Sequence, residues 1–295
     1  MSARAALDDM KKTLALTCLT MIAFAANSLL TRAALGSHQI DAASFTTIRL
    51  AAGGAMLWLV VRLTRRVAAP ERSDPLAVAA LVVYAITFSF AYLSLAAGTG
   101  ALILFGAVQI TMLAAAAMTG ERFTALAWLG VTAAVTGVVW LVSPGVAAPA
   151  PLGTALMAVA GAAWGVYSLR GRGVGEPLRA TARNFAHALP FAVVVSVLLA
   201  PGIRGSWLGV GLSLVCGAVT SGIGYVIWYE ALKGLDASRA AIVQLSVPAL
   251  AALGGVLFLS EQVTWRLVLC SVVILGGIAL VLAQQRKPDV ARSSG

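Results

Sequence analysis

Long apolar runs, separated by short polar or charged segments, dominate the chain. Each run is close to the roughly 20 residues that a helix needs to cross a bilayer. The alternation of apolar and polar positions over roughly ten residues that is typical of a membrane barrel does not occur. The ten runs are residues 13–33, 41–63, 75–96, 100–118, 122–142, 152–169, 182–200, 207–230, 238–259 and 263–283. This pattern predicts an all-α integral membrane protein with ten transmembrane helices.

Composition and charge agree with a membrane protein. Of the 295 residues, 60% are hydrophobic and 11% are charged, whereas roughly a quarter of the residues of a soluble domain are charged. The net charge of +10 comes from Lys and Arg residues scattered over the connecting loops. We interpret it as a topology signal and expect no nucleic-acid partner. Cys18, Cys216 and Cys270 lie within apolar runs without CxxC spacing, so we interpret them as packing residues.

The distribution of positive charge predicts the orientation, because Lys and Arg residues of short loops concentrate on the cytoplasmic side. With a cytoplasmic N-terminus, Arg32, Arg204 and Arg266 fall on outer ends, Arg49 lies within a span, and the other seventeen of the 21 Lys and Arg residues fall on cytoplasmic segments. The sequence therefore predicts that both termini lie in the cytoplasm.

A sequence repeat relates the two halves of the chain. A shift of 140 residues aligns residues 101–142 with 241–282 without a gap, and a shift of 137 relates the helices before them. Each repeat then holds five helices, and this odd number forces the second repeat into the opposite topology. Inverted repeats around a central cavity are typical of alternating-access carriers, although internal repeats also occur in channels. The predicted organisation is a cytoplasmic tail 1–12, a first repeat 13–142, an extracytoplasmic linker 143–151, a second, inverted repeat 152–283 and a cytoplasmic tail 284–295.

A Glu-x-x-Thr segment precedes the last helix of each repeat. Glu121 and Glu261 are the acidic residues of the two segments. We expect each of them in the first turn of that helix, where a carboxylate meets the positive end of the helix dipole and caps free amides. Inversion then places the two glutamates on opposite sides of the bilayer, so they cannot form one active site.

Several motifs carry a resemblance to a known family. The first half contains "TGERFTALAWLGVTAAVTGVVWLV", and the second contains "WYEAL", "ASRAA" and "VPALAALGGVLFLSE". These segments resemble the EamA branch of the drug/metabolite transporter superfamily, and "LILFGAVQITM" is similar to its bacterial aromatic amino acid exporters. The resemblance implies a ten-helix basket around a central cavity that exports amino acids or similar metabolites. The chain departs from the small multidrug relatives, which exchange protons on a glutamate of the first helix, because 13–33 and 152–169 contain no acidic residue.

Aromatic side chains at helical spacing are the first candidates for a substrate site. Tyr84 and Phe88 lie one turn apart on the third span, and Tyr225 has the equivalent place on the eighth. Trp164 and Tyr167 lie about one turn apart on the sixth span. We interpret these rings either as facing walls of a cavity or as interfacial and lipid-facing packing.

Polar side chains within the spans are the second group of candidates. They are Asn27, Gln109, Gln244 and Ser246. Pro248 removes the hydrogen-bond donor for the carbonyl group of Gln244, and freed backbone groups beside a cavity are a feature of carriers. The alternative is an ordinary proline kink in a packed helix.

Two basic side chains stand apart from these groups. We interpret His187 as a candidate proton-responsive group, because histidine is a common pH sensor in proteins, with a hydrogen-bonded structural histidine as the alternative. Arg49 either attracts a substrate carboxylate or binds helix carbonyls or a neighbouring side chain. The second interpretation of Arg49 is favoured.

Signatures of enzymes and cofactors are missing from the sequence. With only His38 and His187, an HExxH site cannot form, and "GVGEP" at 173–177 has no Walker lysine. We therefore predict no catalytic residue, metal or cofactor. The expected partners are a small-molecule substrate and the lipid bilayer, and we expect a monomer with a dimer left open.

The predicted function is a secondary transporter that exports aromatic and other neutral amino acids, or related small metabolites, by alternating access. The alternatives are a channel or lipid flippase on the same scaffold, a multidrug exporter, and an intramembrane enzyme or assembly subunit. All eleven acidic residues lie at span ends or in loops. We therefore expect transport down a substrate gradient without an imposed pH gradient.

Overall fold

A computed structural model describes residues 3–64, 73–120, 123–143, 145, 148–199, 205–235 and 237–284. Within these ranges the regular structure is helical, apart from an isolated bridge between Ile40 and Gly205. The helices are α1 (Ala3–Gly36), α2 (Ala42–Leu63), α3 (Pro75–Ala91), α4 (Ala97–Met118), α5 (Ala125–Val142), α6 (Pro151–Arg170), α7 (Pro177–Leu198), α8 (Trp207–Val215), a π-helical segment (Cys216–Ile223), α9 (Gly224–Leu232), α10 (Ala237–Gln244), α11 (Val247–Leu259) and α12 (Trp265–Gln284). The all-α prediction is confirmed for the described part of the chain.

Length and composition make the chain a multi-pass membrane protein. Among the described residues, 8 helices are long and apolar enough to cross a membrane. Pro75–Ala91 and Ala125–Leu141 are apolar but shorter. A helix of 17 residues rises roughly 25 Å, a little less than the roughly 30 Å of bilayer hydrocarbon. Large apolar side chains such as Trp207, Leu198 and Phe258 are exposed, as expected of helices that face lipid.

Two of the predicted spans are distorted in the structure. The eighth span is one continuous helix, Trp207–Leu232, in which Cys216–Ile223 is π-helical; the sequence did not predict this segment. The ninth span is broken between α10 and α11, and Pro248 lies in the first turn of α11. Proline has no amide hydrogen to continue the preceding helix, so the predicted distortion at this position is a break between two helices.

The last helix of each half begins at a threonine. The hydroxyl of Thr264 accepts a hydrogen bond from the amide of Leu267 at 3.2 Å, just before α12. Thr124 accepts one from the amide of Ala127 at 3.1 Å and is the N-cap of α5. These threonines supply the caps that the sequence analysis assigned to the glutamates.

Glu261 binds a different helix from the one expected. It lies in the loop before α12 and accepts hydrogen bonds from the amide of Ala97, at the start of α4, at 2.9 and 3.1 Å. Ser260 ends α11 in the left-handed conformation, with φ of 53°. The prediction that Glu261 caps α12 is therefore wrong, because its carboxylate binds the start of α4. Glu121 lies outside the described residues.

Glycine allows two of the helix pairs to approach closely. A Cβ atom on Gly130 of α5 would lie 2.5 Å from the carbonyl oxygen of Gly277 of α12. A Cβ atom on Gly277 would lie 2.5 Å from the carbonyl oxygen of Gly130. Gly217 of the π-helical segment lies against the backbone carbonyl of Arg49 in α2. The contact of Gly217 with Arg49 fixes the point at which α2 crosses the π-helical segment. Both elements contribute to the wall of the site described next.

Candidate functional site

A central cavity with about 460 Å³ of empty space lies between α1, α2, α3, α4, α6, the π-helical segment and α9. Four of the predicted site residues line it together: Asn27, Tyr84, Trp164 and Tyr225. The polar side chains on its wall are Asn27, Ser28, Arg49, Thr220 and Ser221. The cavity thus combines aromatic surface, neutral hydrogen-bonding groups and one cation.

Aromatic rings from different helices form a continuous wall. The ring of Trp164 lies 4.7 Å from that of Tyr84 and 5.8 Å from that of Tyr225, measured between centroids. Phe24 makes an edge contact with Tyr225 at 6.4 Å. These separations are typical of favourable aromatic pairs. The wall offers flat apolar surface to a planar ligand.

A second cavity adjoins the first and shares Trp164 and Tyr225 with it. It contains about 970 Å³ of empty space, including its open mouth, and reaches Arg172 just beyond the C-terminal end of α6. Three further predicted residues line it: Gln109, Tyr167 and Gln244. We call this second cavity the vestibule. Trp164 and Tyr225 therefore lie between the centre of the bundle and the end at which α6 finishes.

The remaining predicted residues do not line either cavity. Phe88 is fully buried behind Tyr84, with ring centroids 5.3 Å apart. Ser246 is exposed at the helix break, where its hydroxyl donates to the carbonyl of Val243 at 2.7 Å. His187 is exposed, and its Nδ1 lies 3.1 Å from the hydroxyl of Ser73. Phe88 shares α3 with the lining residue Tyr84, whereas His187 lies on α7 and Ser246 lies in the break between α10 and α11.

Arg49 was expected to bind helix carbonyls or a neighbouring side chain rather than a substrate. Its side chain lines the central cavity and is only 4% exposed. Nη2 donates to the hydroxyl of Tyr84 at 2.9 Å, whereas Nη1 is buried without a hydrogen-bond partner. The guanidinium carbon lies 4.8 Å from the ring centroid of Phe88 and 5.4 Å from that of Tyr84, within the range of cation–π attraction. In the sequence, the signal for a functional role of Arg49 was a single charge deep in an apolar span.

Asn27 is held by the π-helical segment. Its side-chain oxygen accepts from the thiol of Cys216 at 3.1 Å and from the hydroxyl of Thr220 at 3.4 Å. Among the described residues none accepts a hydrogen bond from its Nδ2. π-helical segments are often found at functional sites, and this one places Thr220 and Ser221 on the cavity wall. The fixed amide adds a donor to the site.

An ion-paired layer closes one end of the bundle. Arg32, near the end of α1, lies with its Nε 3.2 Å from Oε1 of Glu261, and its Nη1 donates to the carbonyl of Tyr92 at 3.1 Å. The same carboxylate binds the amide of Ala97. The side chain of Tyr92 is fully buried and its ring stacks edge-on against that of Phe88 at 4.9 Å. We call Arg32, Glu261, Ala97 and Tyr92 the closed layer.

The opposite end carries a different ion pair beside open space. Nε of Arg170, at the end of α6, lies 2.5 Å from Oδ2 of Asp74, the N-cap of α3. This guanidinium is the main reason why the pKa of Asp74 is lowered, and the amides of Ala77 and Leu76 contribute. Asp74 and Arg170 line a third cavity with about 500 Å³ of empty space. This ion pair therefore borders a cavity.

No cluster suited to a metal ion is found in the described part of the chain. A search for three or more His, Cys, Asp or Glu side chains close enough to share an ion finds none among those residues. The arrangement at the centre of the bundle is suited to holding a small molecule by ring contacts, neutral donors and one positive charge.

The helical fold defines a multi-pass membrane protein, and comparisons with known proteins indicate a transporter and its family. The model of the EamA-like transporter family matches residues 151–283. An uncharacterized protein of Pseudomonas aeruginosa is 50% identical over 92% of this chain and 95% of its own length. The chain belongs to the EamA-like transporter family. Its membership in the aromatic amino acid exporter subgroup stays a prediction.

More distant relatives and a solved structure agree with this assignment. An uncharacterized transporter of Archaeoglobus fulgidus is 25% identical over 82% of this chain and 89% of its own. The uncharacterized transporter YwfM of Bacillus subtilis is 26% identical over 88% of this chain and 91% of its own. A crystal structure with 21% identity superposes with a TM-score of 0.63, covering 90% of this chain and 98% of its own. The superposition shows a shared fold.

Proposed function

We propose that this protein is a secondary transporter of the bacterial inner membrane that exports amino acids or related small metabolites by alternating access. The observation that carries the proposal is the central cavity, whose wall combines Trp164, Tyr84 and Tyr225 with Arg49 and Asn27. Rings of this kind can cover the apolar part of a small ligand, and the polar groups can bind its carboxylate.

The packing of the helices supports two inverted five-helix repeats. α1 packs along the helix formed by α8, the π-helical segment and α9, while α6 packs along α3. α4 packs on α6, while α11 packs on α1. α2 pairs with α7, and α5 pairs with α12. If each of the first five spans is exchanged with the corresponding span of the last five, each of these helix pairs becomes another pair in this set or stays the same pair. This pattern supports ten spans, with α3 and α5 as short ones.

The two ends of the bundle support alternating access. With both termini in the cytoplasm, the closed layer faces the outside and the vestibule faces the cytoplasm. The structure then corresponds to an inward-facing state, in which a substrate enters from the cell interior. Export requires the closed layer to separate while the vestibule closes around Trp164 and Tyr225.

The test is efflux from proteoliposomes loaded with labelled phenylalanine or threonine. We expect time-dependent efflux that saturates with substrate and proceeds without an imposed pH gradient. Arg49→Ala and Trp164→Ala are expected to reduce it strongly, because they remove the cation and the central ring. Lack of movement of any amino acid, nucleoside-like metabolite or cationic drug contradicts the proposal, and single-channel currents would favour a channel. Loss of efflux on collapse of a pH gradient would contradict the uncoupled mechanism.

A further inference from the structure

The guanidinium of Arg49 is the one charged group on the wall of the central cavity, among the residues that the structure describes. Its Nη1 is buried without a partner, while its other terminal nitrogen is engaged by Tyr84. An arginine stays protonated in proteins, and a buried charge without an opposite charge is unfavourable. No acidic side chain on the described cavity wall neutralises this guanidinium, so an anionic ligand would supply the missing opposite charge.

We propose that Arg49 anchors the carboxylate of the transported substrate, and that this substrate is an organic monoanion with an aromatic or similarly planar body. The inference rests on the proposed transport function and narrows its substrate class. Nη1 of Arg49 donates to the carboxylate, and the amide of Asn27 supplies a second donor. Trp164 and Tyr225 cover the apolar body.

The fixed geometry of the guanidinium favours this role. Phe88 packs beside its plane at 4.8 Å, and the hydroxyl of Tyr84 holds one of its nitrogens at 2.9 Å. Gly217 lies against the backbone of Arg49, so the helix that carries it cannot shift toward the π-helical segment. A donor that is held in place before binding loses little conformational freedom on binding.

The lack of acidic side chains among the described residues that line the two cavities favours an anionic substrate over a zwitterion or a cation. Neither the central cavity nor the vestibule has an Asp or Glu among its described lining residues. Three described acids on adjoining elements form ion pairs elsewhere: Glu261 with Arg32, Asp74 with Arg170, and Glu230 with Lys233. An ammonium group would therefore enter the cavity without a carboxylate to bind it, beside a guanidinium of the same charge.

Transport of such an anion moves charge across the membrane. Arg49 belongs to the protein and keeps its proton, so each exported monoanion carries one negative charge outward. The inside-negative potential of a bacterial cell then drives export. For one elementary charge, the equilibrium ratio of substrate across the membrane changes about tenfold for each 60 mV.

Three ligands that share a phenyl ring and differ in charge test the proposal: 3-phenylpropanoate, phenylalanine and phenethylamine. Proteoliposomes containing the full chain are loaded with each labelled compound, and potassium with valinomycin sets the membrane potential. We expect the anion to leave fastest, and a lumen-negative potential of 60 mV to change its final distribution about tenfold. Phenylalanine, which has no net charge, should not respond to the potential.

Substitutions then assign the preference to Arg49. Arg49→Gln should weaken binding of 3-phenylpropanoate by roughly 10- to 100-fold, the range for loss of a hydrogen bond to a charged group. Arg49→Lys should retain part of the anion preference. Lys12→Gln removes an exposed positive charge near the start of α1 and should leave binding unchanged.

The outcomes distinguish this inference from the proposed function. Movement of phenylalanine without movement of 3-phenylpropanoate overturns the anion preference and leaves the transport function intact. Failure of every amino acid, metabolite and drug to move overturns the transport function itself. Undiminished anion binding by Arg49→Gln overturns the role of Arg49. If that variant does not fold, the comparison of the three ligands on the wild-type chain still decides the charge preference.

Discussion

Arg32 of α1 and Arg49 of α2 lie in two regions of the bundle, and the two guanidinium groups differ in their partners. Arg32 lies in the closed layer, where the carboxylate of Glu261 and a backbone carbonyl accept its hydrogen bonds. Arg49 lies on the cavity wall, where its partners are a hydroxyl and two ring faces, and Nη1 has none. The first arginine is satisfied by the fold. The second one has remaining capacity for a hydrogen bond, and the proposed anion-binding role depends on this difference.

The two regions also differ in what moves during a transport cycle. In the proposed alternating-access cycle, the closed layer separates when the outside opens, so its ion pair would contribute to the balance between the two states. Arg49 has to keep its position in both states in order to hold a ligand. We therefore expect substitutions in the closed layer to change the rate of opening, and substitutions around Arg49 to change affinity.

The largest effect on stability is expected from Gly217→Ala, which alters the support of Arg49. The added methyl group would overlap the carbonyl oxygen of Arg49 and lie 2.9 Å from the Cβ of Ala52. Overpacking of this kind costs about 1–3 kcal/mol. Thermal unfolding in detergent should show a lower midpoint, and ligand binding should weaken with it.

Gly211→Ala in α8 is the matched control, since a Cβ at that position meets no atom within 4 Å. Alanine is favoured over glycine in a helix by roughly 1 kcal/mol, so the midpoint of this control should stay the same or rise. Equal behaviour of the two variants would contradict the close crossing of α2 and the π-helical segment.

The second effect concerns the closed layer. Glu261→Gln keeps the size of the side chain but removes the charge that binds Arg32 and the amide of Ala97. Hydrogen bonds to charged groups contribute about 1.5–3 kcal/mol, and partial exposure reduces this, so we expect the outside to open roughly tenfold more often. The measurement is labelling of Ser221→Cys in the cavity by an impermeant maleimide added outside, quantified by peptide mass spectrometry.

Asp74→Asn provides the comparison for that experiment, because it alters the ion pair at the opposite end. Labelling of Ser221→Cys from outside should not increase in this variant. An increase of the same size in both variants would show that the closed layer does not control the opening.

The smallest effect is the pH dependence of the stability that the Asp74–Arg170 ion pair contributes. Arg170 holds the pKa of Asp74 below its ordinary value. The contribution of this carboxylate to stability is therefore fully present above the unfolded pKa of about 3.9 and is lost as pH falls through the lower, folded pKa. Because the pair is partly exposed, we expect less than about 1 kcal/mol.

Thermal midpoints of the wild-type chain and Asp74→Asn between pH 7 and pH 3 check this expectation. Asparagine still caps a helix, so the substitution isolates the charge. The two proteins should differ slightly at pH 7 and converge at the acid end. A difference that grows toward acid pH would contradict the lowered pKa of Asp74.

Parts of the candidate site were predictable because helical spacing indicates which side chains share a face. Tyr84, Trp164 and Tyr225 lie on the cavity wall as one of the two interpretations had it. Phe88 has the same spacing, yet it packs behind Tyr84, since a periodic pattern indicates a buried face without indicating whether a cavity or a neighbouring ring lies there. Ser246 is exposed because the helix is broken beside it, which changes the direction of its side chain.

The charged residues show where prediction from sequence ends. Glu261 precedes α12 along the chain, so the sequence suggested that helix as its partner, but the start of α4 is closer in space. Arg49 had two interpretations, and the choice between them depends on which side chains surround it. Both answers come from contacts between residues far apart in the chain, which local spacing does not specify.

The sequence by itself determined the class of protein, the approximate ends of the helices and the family resemblance. These depend on local properties: the length of an apolar run, the position of charges, and motifs of consecutive residues. Only the tertiary structure decided that Arg32 is paired, that Arg49 faces a cavity without an acid, and that one end is closed. Those features arise from packing between helices, where a shift of a single turn exchanges one neighbour for another.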